Sequence, residues 1–433
     1  MTKLPLEGVR VVDMTGVWAG TYGTRLLGDW GAEVIRVEPR RVFQPSTRGQ
    51  QAHPSKALIM RSQAPTMAAP DWEPGERPWN RMPIFNSHAR NKLSMTVDLT
   101  KPEGKDIFRR LIAVSDIFVE NTVPETLERL GVDYPDLVKV RPDLIMVRMP
   151  AYGLSGPYKN YRSFGAQLEC VVGHTSLRGD PSVDPTERGD VFTADGAAGV
   201  GAALAAVLAL RHRRRTGKGQ LVELAQAENF IPYLGQALMD YTMNGRVQDT
   251  TGNRHPDMAP HGCYPCRGDD RWVTIAVRSD QEFAALCDEM RRPELAGDPR
   301  YAAAASRLQH QDELDAVVSE WTSARDPWDV FRALQARGIP AGPVMNEADA
   351  FADAHLKSRE YFQPLTQQDT GTHLYPGPMW RQSKTPNRLR LPPCRLGEHN
   401  AYVYQELLGL SGAEYARLEQ AGHIGMDYLP GVA

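Results

Sequence analysis

The apolar positions of the first forty residues change period twice. Val9-Arg10-Val11-Val12-Asp13 is a short run with apolar residues in excess, which predicts a strand. Gly16, Gly20 and Gly23 follow, and then Leu26 and Leu27 at helical spacing. Glu33-Val34-Ile35-Arg36-Val37-Glu38 predicts a second strand. Strand, glycine-containing turn, helix and strand make a βαβ unit and imply a parallel sheet. Further strands are expected at 93–99, 116–120, 144–148 and 221–224, with a helix opened by Pro102 and Glu103 and carried by Ile107, Leu111 and Ile112.

The intervening segments differ in character. Residues 40–83 hold Pro, Arg, Gln, Ser and Met without a sustained period, which predicts a long surface loop with one short helix. Residues 189–210 form a loop and then a long helix of Ala, Gly, Val and Leu, and a single helix is expected over 228–243. Residues 250–266 show no period. A strand at 271–277, helices at 281–290 and 313–322 and a closing turn at 338–344 predict a smaller α/β unit. The expected division is a large α/β domain over 1–225, a small one over 255–345 and linkers at 226–254 and 346–384. The last fifty residues carry a Pro-rich stretch and a helix over 400–408.

Composition narrows the function classes. The chain has 433 residues, a formal charge of −3, 41% hydrophobic and 24% charged residues. That is an ordinary globular balance, without the basic excess of a nucleic-acid binder. The longest apolar run, Ala197 to Leu210, falls short of the roughly 20 residues of a spanning helix, so no membrane association is expected. The start, Met1-Thr2-Lys3-Leu4-Pro5, lacks the apolar core of a signal peptide. Five cysteines are too few for a disulfide scaffold, so the cytoplasm is the expected compartment.

Four groups of residues carry candidate chemistry. The glycines are spaced Gly16-x-x-x-Gly20-x-x-Gly23, which departs from the dinucleotide fingerprint although Glu38 ends the second strand. Cys263-Tyr264-Pro265-Cys266 is a CxxC pair near His255 and His261, but it lacks the second pair a structural zinc site needs, so no metal is expected. Arg211 to Lys218 is read as cations at a helix C-terminus, stopped by Gly217. Asp195 lies where a loop enters the Ala-rich helix. Such a carboxylate caps the helix, or, with Gly196, Ala197, Ala198 and Gly199 beside it, acts as a nucleophile that a ligand can approach.

The chain resembles the class III CoA-transferases (CaiB/BaiF family) from about Leu6 to Ile424. The resemblance rests on segments in a fixed order. They are Leu6-Glu7-Gly8 through Asp13 with Ala19-Gly20, Leu27-Gly28-Asp29-Trp30-Gly31-Ala32 through Glu38-Pro39, and Asn91-Lys92-Leu93-Ser94. Then come Val119-Glu120-Asn121, Leu127-Glu128-Arg129-Leu130-Gly131 and Gly153-Leu154-Ser155-Gly156-Pro157-Tyr158. Arg215-Thr216-Gly217-Lys218-Gly219-Gln220, Gly338 through Val344, and Leu396-Gly397-Glu398-His399 complete the set.

The resemblance implies a Rossmann-like large domain built from both chain ends, with 385–433 completing it, a smaller α/β domain, and an interlocked dimer. It implies coenzyme A as a substrate and Asp195 as the residue that forms aspartyl anhydride and aspartyl-CoA thioester intermediates. For CoA it points to Val17, Val97, Asn121, Arg129 and Arg162. Arg40 and Lys101 stand beside two further contact positions, which here hold Pro39 and Thr100. Trp18 stands where some members carry a small polar residue, which implies an acceptor larger or less polar than oxalate. Pro260-His261-Gly262 falls near the family's glycine loop, without its longer glycine run. The racemases of the same fold family carry a His-Asp pair where this chain reads Ser163-Phe164-Gly165, so racemase chemistry is not expected. Gly165 also replaces an acidic residue common in transferases, with Glu169 nearby as a polar group of the substrate pocket. Phe164-Gly165 is similar to subunits of arylsuccinate-type transferases. A related partner chain, or a non-catalytic CoA-binding role in a hetero-oligomer, is therefore the alternative to a homodimer.

Overall fold

The computed structural model describes residues 3–62, 67–184 and 192–432. They group into two compact units, Met1–Gly173 with Asp190–Met239 and Ser358–Ala433, and His174–Gly189 with Asp240–Lys357.

The first unit is built on six parallel strands in the order β3-β2-β1-β4-β5-β6. They are β1 (Arg10–Met14), β2 (Glu33–Glu38), β3 (Lys92–Thr96), β4 (Ile117–Glu120), β5 (Ile145–Arg148) and β6 (Gln220–Glu223). This is the doubly wound order, in which the chain reverses direction across the sheet between β1 and β4. The inner strands, such as β2, β4 and β5, read as nearly continuous apolar runs because both faces are covered, while the edge strand β6 is largely exposed. Val12, Ile35, Phe118 and Met146 point into one core, Val11, Val34, Val119 and Val147 into the other. Helix α1 (Ala19–Asp29) lies on the second face, and α2 (Pro102–Ala113) packs on the first with Val403, Tyr404, Leu418 and Ile424 from the chain's end.

Two more helices of this unit matter for the site, α3 (Gly165–Val171) and α4 (Thr193–Thr216). With 24 residues and a mean hydropathy of 1.6 in its apolar window, α4 passes the length test for a membrane span that the run ending at Leu210 fails. In the fold it is a core helix, with 56% of that window buried and Ala198, Ala202, Ala206 and Ala209 packed in the second core. It stops at Gly217, whose φ of 72° suits glycine. In its last turn Arg213 donates to the Asp116 carboxylate at 2.6 Å.

The segment 40–83 is tied down more firmly than a surface loop. It forms short helices at Lys56–Arg61 and Pro83–His88 and buries Arg48 and Trp79. The cause is ionic. Arg48 donates twice to the Glu38 carboxylate, both at 2.7 Å, and its guanidinium lies 3.6 Å from the centre of the Phe85 ring. Burial alone would raise the Glu38 carboxyl, but Arg36 and Arg48 overcome it and hold the group at about 2. Its contribution is therefore complete above the ordinary carboxylate range and is lost as pH falls through it toward 2. Glu38→Ala leaves two buried guanidinium groups short of a counter-charge and is expected to cost about 3–5 kcal/mol. Chemical unfolding at pH 7 reads this as a lower midpoint, and an unchanged midpoint would refute the role of the pair.

The expected boundaries at 225, 255, 345 and 385 do not coincide with the units. Residues 226–239 belong to the first unit, where Pro232 breaks the single helix expected over 228–243. It becomes Gln226–Phe230, a 3-10 turn at Ile231–Leu234 and α5 (Gly235–Asn244), because proline lacks the N–H a continuous helix needs. The stretch 346–384 is not a linker. It holds the helix Glu347–Ala352 and an antiparallel hairpin, Phe362–Gln367 with Gly371–Pro376. The hairpin is fixed to the first unit by Asn80, which donates to Asp369 at 2.8 Å, and by Arg90, which donates to the Pro376 carbonyl.

The second unit carries an antiparallel sheet of β7 (His261–Pro265), β8 (Trp272–Ala276) and β9 (Ala341–Pro343), packed by α6 (Asp280–Glu289), α7 (Gln311–Ser323) and α8 (Pro327–Ala336). Its core includes Phe283, Leu286, Leu314, Val318 and Leu334. β7 has no apolar period, and its strand state comes from pairing with β8, Gly262 opposite Ile275 and Tyr264 opposite Val273. β9 likewise falls where a turn was expected, paired with β8.

Candidate active site

Three helix starts meet in the first unit. The turn after β1 leads into α1, and its shape is held from β4. The Asn121 side chain accepts from the Gly16 amide at 2.7 Å and donates to the Gly16 carbonyl at 2.9 Å. Val17 sits at φ 57°, with its amide on the Thr47 hydroxyl at 2.8 Å. α1 and α4 then cross closely enough to exclude side chains at the crossing. A Cβ on Gly23 would lie 2.8 Å from the Gly199 carbonyl oxygen, and one on Gly199 would lie 2.8 Å from that of Ala19. These glycines serve helix packing and not a dinucleotide turn, and Glu38 is held by Arg36 and Arg48 instead of facing a ribose.

The crossing brings the start of α1 to Asp195. The Ala19 amide donates to the Asp195 carboxylate. Asp195 is the third residue of α4 and not its cap, a position held by Phe192 at φ 50° with no side-chain cap bond. The buried Ala194 amide is satisfied instead by Glu169 of α3, whose Oε1 accepts at 3.0 Å. From the same α3 face, Gly165 abuts the nucleophile candidate itself. A Cβ there would fall 1.8 Å from Asp195 Oδ2.

Asp195 is buried but not sealed, with 8% of its surface exposed. Burial pushes its carboxyl up, the Ala19 amide pulls it down and the negative charge of Glu169 raises it again, leaving it at about 6. It is therefore mostly ionised at neutral pH yet more basic than a solvated carboxylate. The positive ends of α1 and α4 favour that ionised form. An ionised, weakly solvated oxygen beside a glycine is suited to attack an acyl carbon.

The other expected site residues are distributed as follows. Trp18 stacks on His88, with ring centres 5.4 Å apart, and meets Phe192 at 5.2 Å. His88 is pushed well below its usual range by burial and by Arg25, Lys92 and Arg90, so it is neutral. Val97 is buried, and its amide donates to the Glu38 carbonyl at 3.0 Å. Arg129 lies exposed on the short helix Glu125–Leu130, and Arg162 is exposed in the loop before α3. Arg40 is turned to the chain's end, donating to the carbonyls of Ile424 and Asp427, both at 2.7 Å, and Lys101 to that of Ala421 at 2.7 Å. Glu169 is 1% exposed and turned to the helix start, where its Oε1 meets the Ala194 amide.

His261 and Gly262 belong to the second unit. His261 Nδ1 lies 2.6 Å from the Asn253 carbonyl, and both residues line a cavity of about 480 Å3 with Asn253, Thr274 and Gly342. Cys263 lies on β7 and Cys266 just after it, in a strand and its end instead of a loop. Burial pushes the Cys266 thiol up to about 11, which opposes the thiolate that metal binding or redox exchange requires. Among the described residues no three His, Cys, Asp or Glu side chains are grouped to hold a metal.

His88, Thr47 and Phe192 were not singled out from the sequence. His88 lies three residues before the Asn91-Lys92-Leu93-Ser94 segment, but nothing local marks it as a support for Trp18, seventy residues earlier.

Comparison with known proteins agrees with this geometry. A family model described as CoA-transferase family III matches residues 6–400. The chain is 32% identical to the succinyl-CoA–D-citramalate CoA-transferase of Chloroflexus aurantiacus over 96% of its own length and 97% of that protein. It is 34% identical to the succinyl-CoA–L-malate CoA-transferase beta subunit of the same organism, covering 94% and 95%. A crystal structure of a CAIB/BAIF family protein from Brucella suis superposes with a TM-score of 0.80 at 29% identity, over 94% of this chain and all of that one. By the family model, the relatives and the fold alike, the chain belongs to the class III (CaiB/BaiF) CoA-transferases, enzymes that move CoA from an acyl-CoA to a carboxylic acid.

Proposed function

We propose that transfer runs through Asp195 as the nucleophile, with a succinyl-CoA-like donor. The observation that carries this is the basic, ionised Asp195 carboxylate held against Gly165 at the joined starts of α1 and α4. An Asp195 oxygen attacks the thioester carbonyl, the C–S bond breaks, and CoA leaves as its thiolate. The product is a mixed anhydride. The thiolate then attacks the aspartyl carbonyl and releases the donor's acid, leaving an aspartyl-CoA thioester. The acceptor carboxylate attacks that thioester, forming a second anhydride, and the thiolate returns to the acceptor's acyl carbon. Each step exchanges one acyl bond for another, so no net proton is needed and Asp195 is regenerated. Amides at the helix starts are the natural donors for the developing oxyanions.

For CoA, the exposed Arg129 and Arg162 have guanidinium groups free to meet phosphate oxygens. Arg40 and Lys101 would first have to leave their carbonyl partners. Asn121 and Val17 shape the turn into α1, and Val97 can offer only backbone. Trp18, between His88 and Phe192, makes an aromatic wall near Asp195 that suits an alkyl or aryl dicarboxylate better than oxalate. The relatives' names, which pair succinyl-CoA with hydroxylated dicarboxylic acids, support the donor class. On α4, Leu204, Val207 and Leu208 remain exposed, an apolar face that fits a subunit partner. An interlocked homodimer is the assembly we propose, with a related second subunit as the variant favoured by the relative named a beta subunit. The cytoplasm remains the proposed compartment, in keeping with a chain of only five cysteines.

The test is CoA exchange from succinyl-CoA to a panel of mono- and dicarboxylates, with a hydroxylamine quench and peptide mass analysis. The expected product is a hydroxamate at Asp195. CoA binding without exchange or adduct would instead make the chain a non-catalytic subunit. A pH profile gives a second check. Because Asp195 must be ionised and its carboxyl lies at about 6, kcat/KM should fall roughly tenfold per unit well below that pH. An acid limb near the ordinary aspartate value would refute the raised basicity.

A further inference from the structure

We propose that Glu169 is a positioning residue for transfer, a second buried carboxylate that takes over the capping of α4 so that Asp195 is left free to react. The inference rests on Asp195 being the nucleophile.

The first amides of any helix lack partners inside it, and an acidic side chain in the first turn ordinarily folds back to satisfy them. In α4 the residue before the helix is Phe192, whose side chain offers no acceptor. Ala194, the residue immediately before Asp195, is fully buried, so its amide cannot turn to water. Glu169 supplies the acceptor at 3.0 Å from α3. It stands one helical turn after Gly165, and residues four apart share a helix face. The same face of α3 thus offers a bare backbone to Asp195 and a carboxylate to the neighbouring amide.

The arrangement separates two duties between two acids. Around Asp195, α1 contributes the Ala19 amide, α3 the negative charge of Glu169, and α4 its own first amides, while Tyr22 of α1 packs one turn further along against Gly199. Burial is the main reason the Asp195 oxygens are more basic than usual, and the charge of Glu169 adds to it, opposing the helix starts and the Ala19 amide while Asp195 remains charged. Environments that push two nearby acids toward different roles are a recurring way of assigning such duties.

Two variants separate the charge from the cap. Glu169→Gln keeps an acceptor oxygen for Ala194 and removes the charge. Glu169→Ala removes both. With Glu169→Gln we expect a melting temperature close to that of the unaltered protein, an acid limb shifted to lower pH, and kcat lowered roughly tenfold with little change in KM for succinyl-CoA. Glu169→Ala should lose more activity, and should it fail to fold, Glu169→Gln still decides. If the unaltered protein forms an Asp195 adduct, and Glu169→Gln forms it at the same rate with the same acid limb, Glu169 is a cap alone and the inference is wrong. If the unaltered protein forms no adduct, the underlying reading of Asp195 has failed instead.

Discussion

Asp195→Ala should lower CoA transfer by about 10^4-fold or more, the scale seen when a covalent nucleophile is removed from a working site. The substitution deletes the oxygen that takes up the acyl group, and among the described residues the buried carboxylates of this unit are already engaged. Glu169 is buried with its Oε1 on the Ala194 amide, and the oxygens of Asp13 and Glu38 are held by Lys92 and by Arg36 and Arg48. Fold and CoA binding should survive, since the first turn of α4 is capped from α3 and the alanine continues a run of small residues. The measurement is exchange between succinyl-CoA and a dicarboxylic acid, alongside calorimetric binding of free CoA. Retained turnover, or an acyl adduct elsewhere in the chain, would remove Asp195 from the mechanism.

Gly165→Ala tests the same site without touching the reactive group. The added methyl would lie 1.8 Å from Asp195 Oδ2 and 2.8 Å from its Cγ, far inside contact distance. Either the carboxylate swings away or α3 retreats. A shift of about 1 Å in a reacting group costs roughly 10^2-fold, so kcat should fall by at least that factor. Overpacking of this kind costs about 1–3 kcal/mol, so the melting temperature should fall only modestly. A variant with unchanged kcat would show that the carboxylate does not react from the position seen here.

How far these features could be read from sequence depends on the distance between the partners. The inner parallel strands were legible because burial on both faces makes them apolar runs, as at Val34-Ile35 and Phe118-Val119, while the exposed edge strand β6 showed only through Leu221-Val222. The placement of Asp195 at the entrance to a small-residue helix was also legible. Its exact duty was not, because the group that relieves it of capping, Glu169, lies on another helix, 25 residues before the Ala194 whose amide it accepts. β7 escaped because His261-Gly262-Cys263-Tyr264-Pro265 has little strand preference of its own and takes that state from β8. Pro232 was visible, but the local apolar period suggested that the helix ran through it. The hold on Arg40 and Lys101 was not legible because their carbonyl partners lie more than three hundred residues downstream.

Those long-range partners bear on how the protein comes into being. The core begun by Val12 and Ile35 is closed by Val403, Tyr404, Leu418 and Ile424. The Asn400 side chain accepts from the Thr96 amide at 2.8 Å, and the Tyr404 hydroxyl donates to the Thr96 carbonyl at 2.8 Å. A ribosome must therefore pass Ile424 before the opening βαβ unit can cover its outer face. Until then the nascent chain displays a bare apolar sheet surface, the kind of intermediate that chaperones shield. Termination before Val403 would deprive the earliest-made strands of their cover.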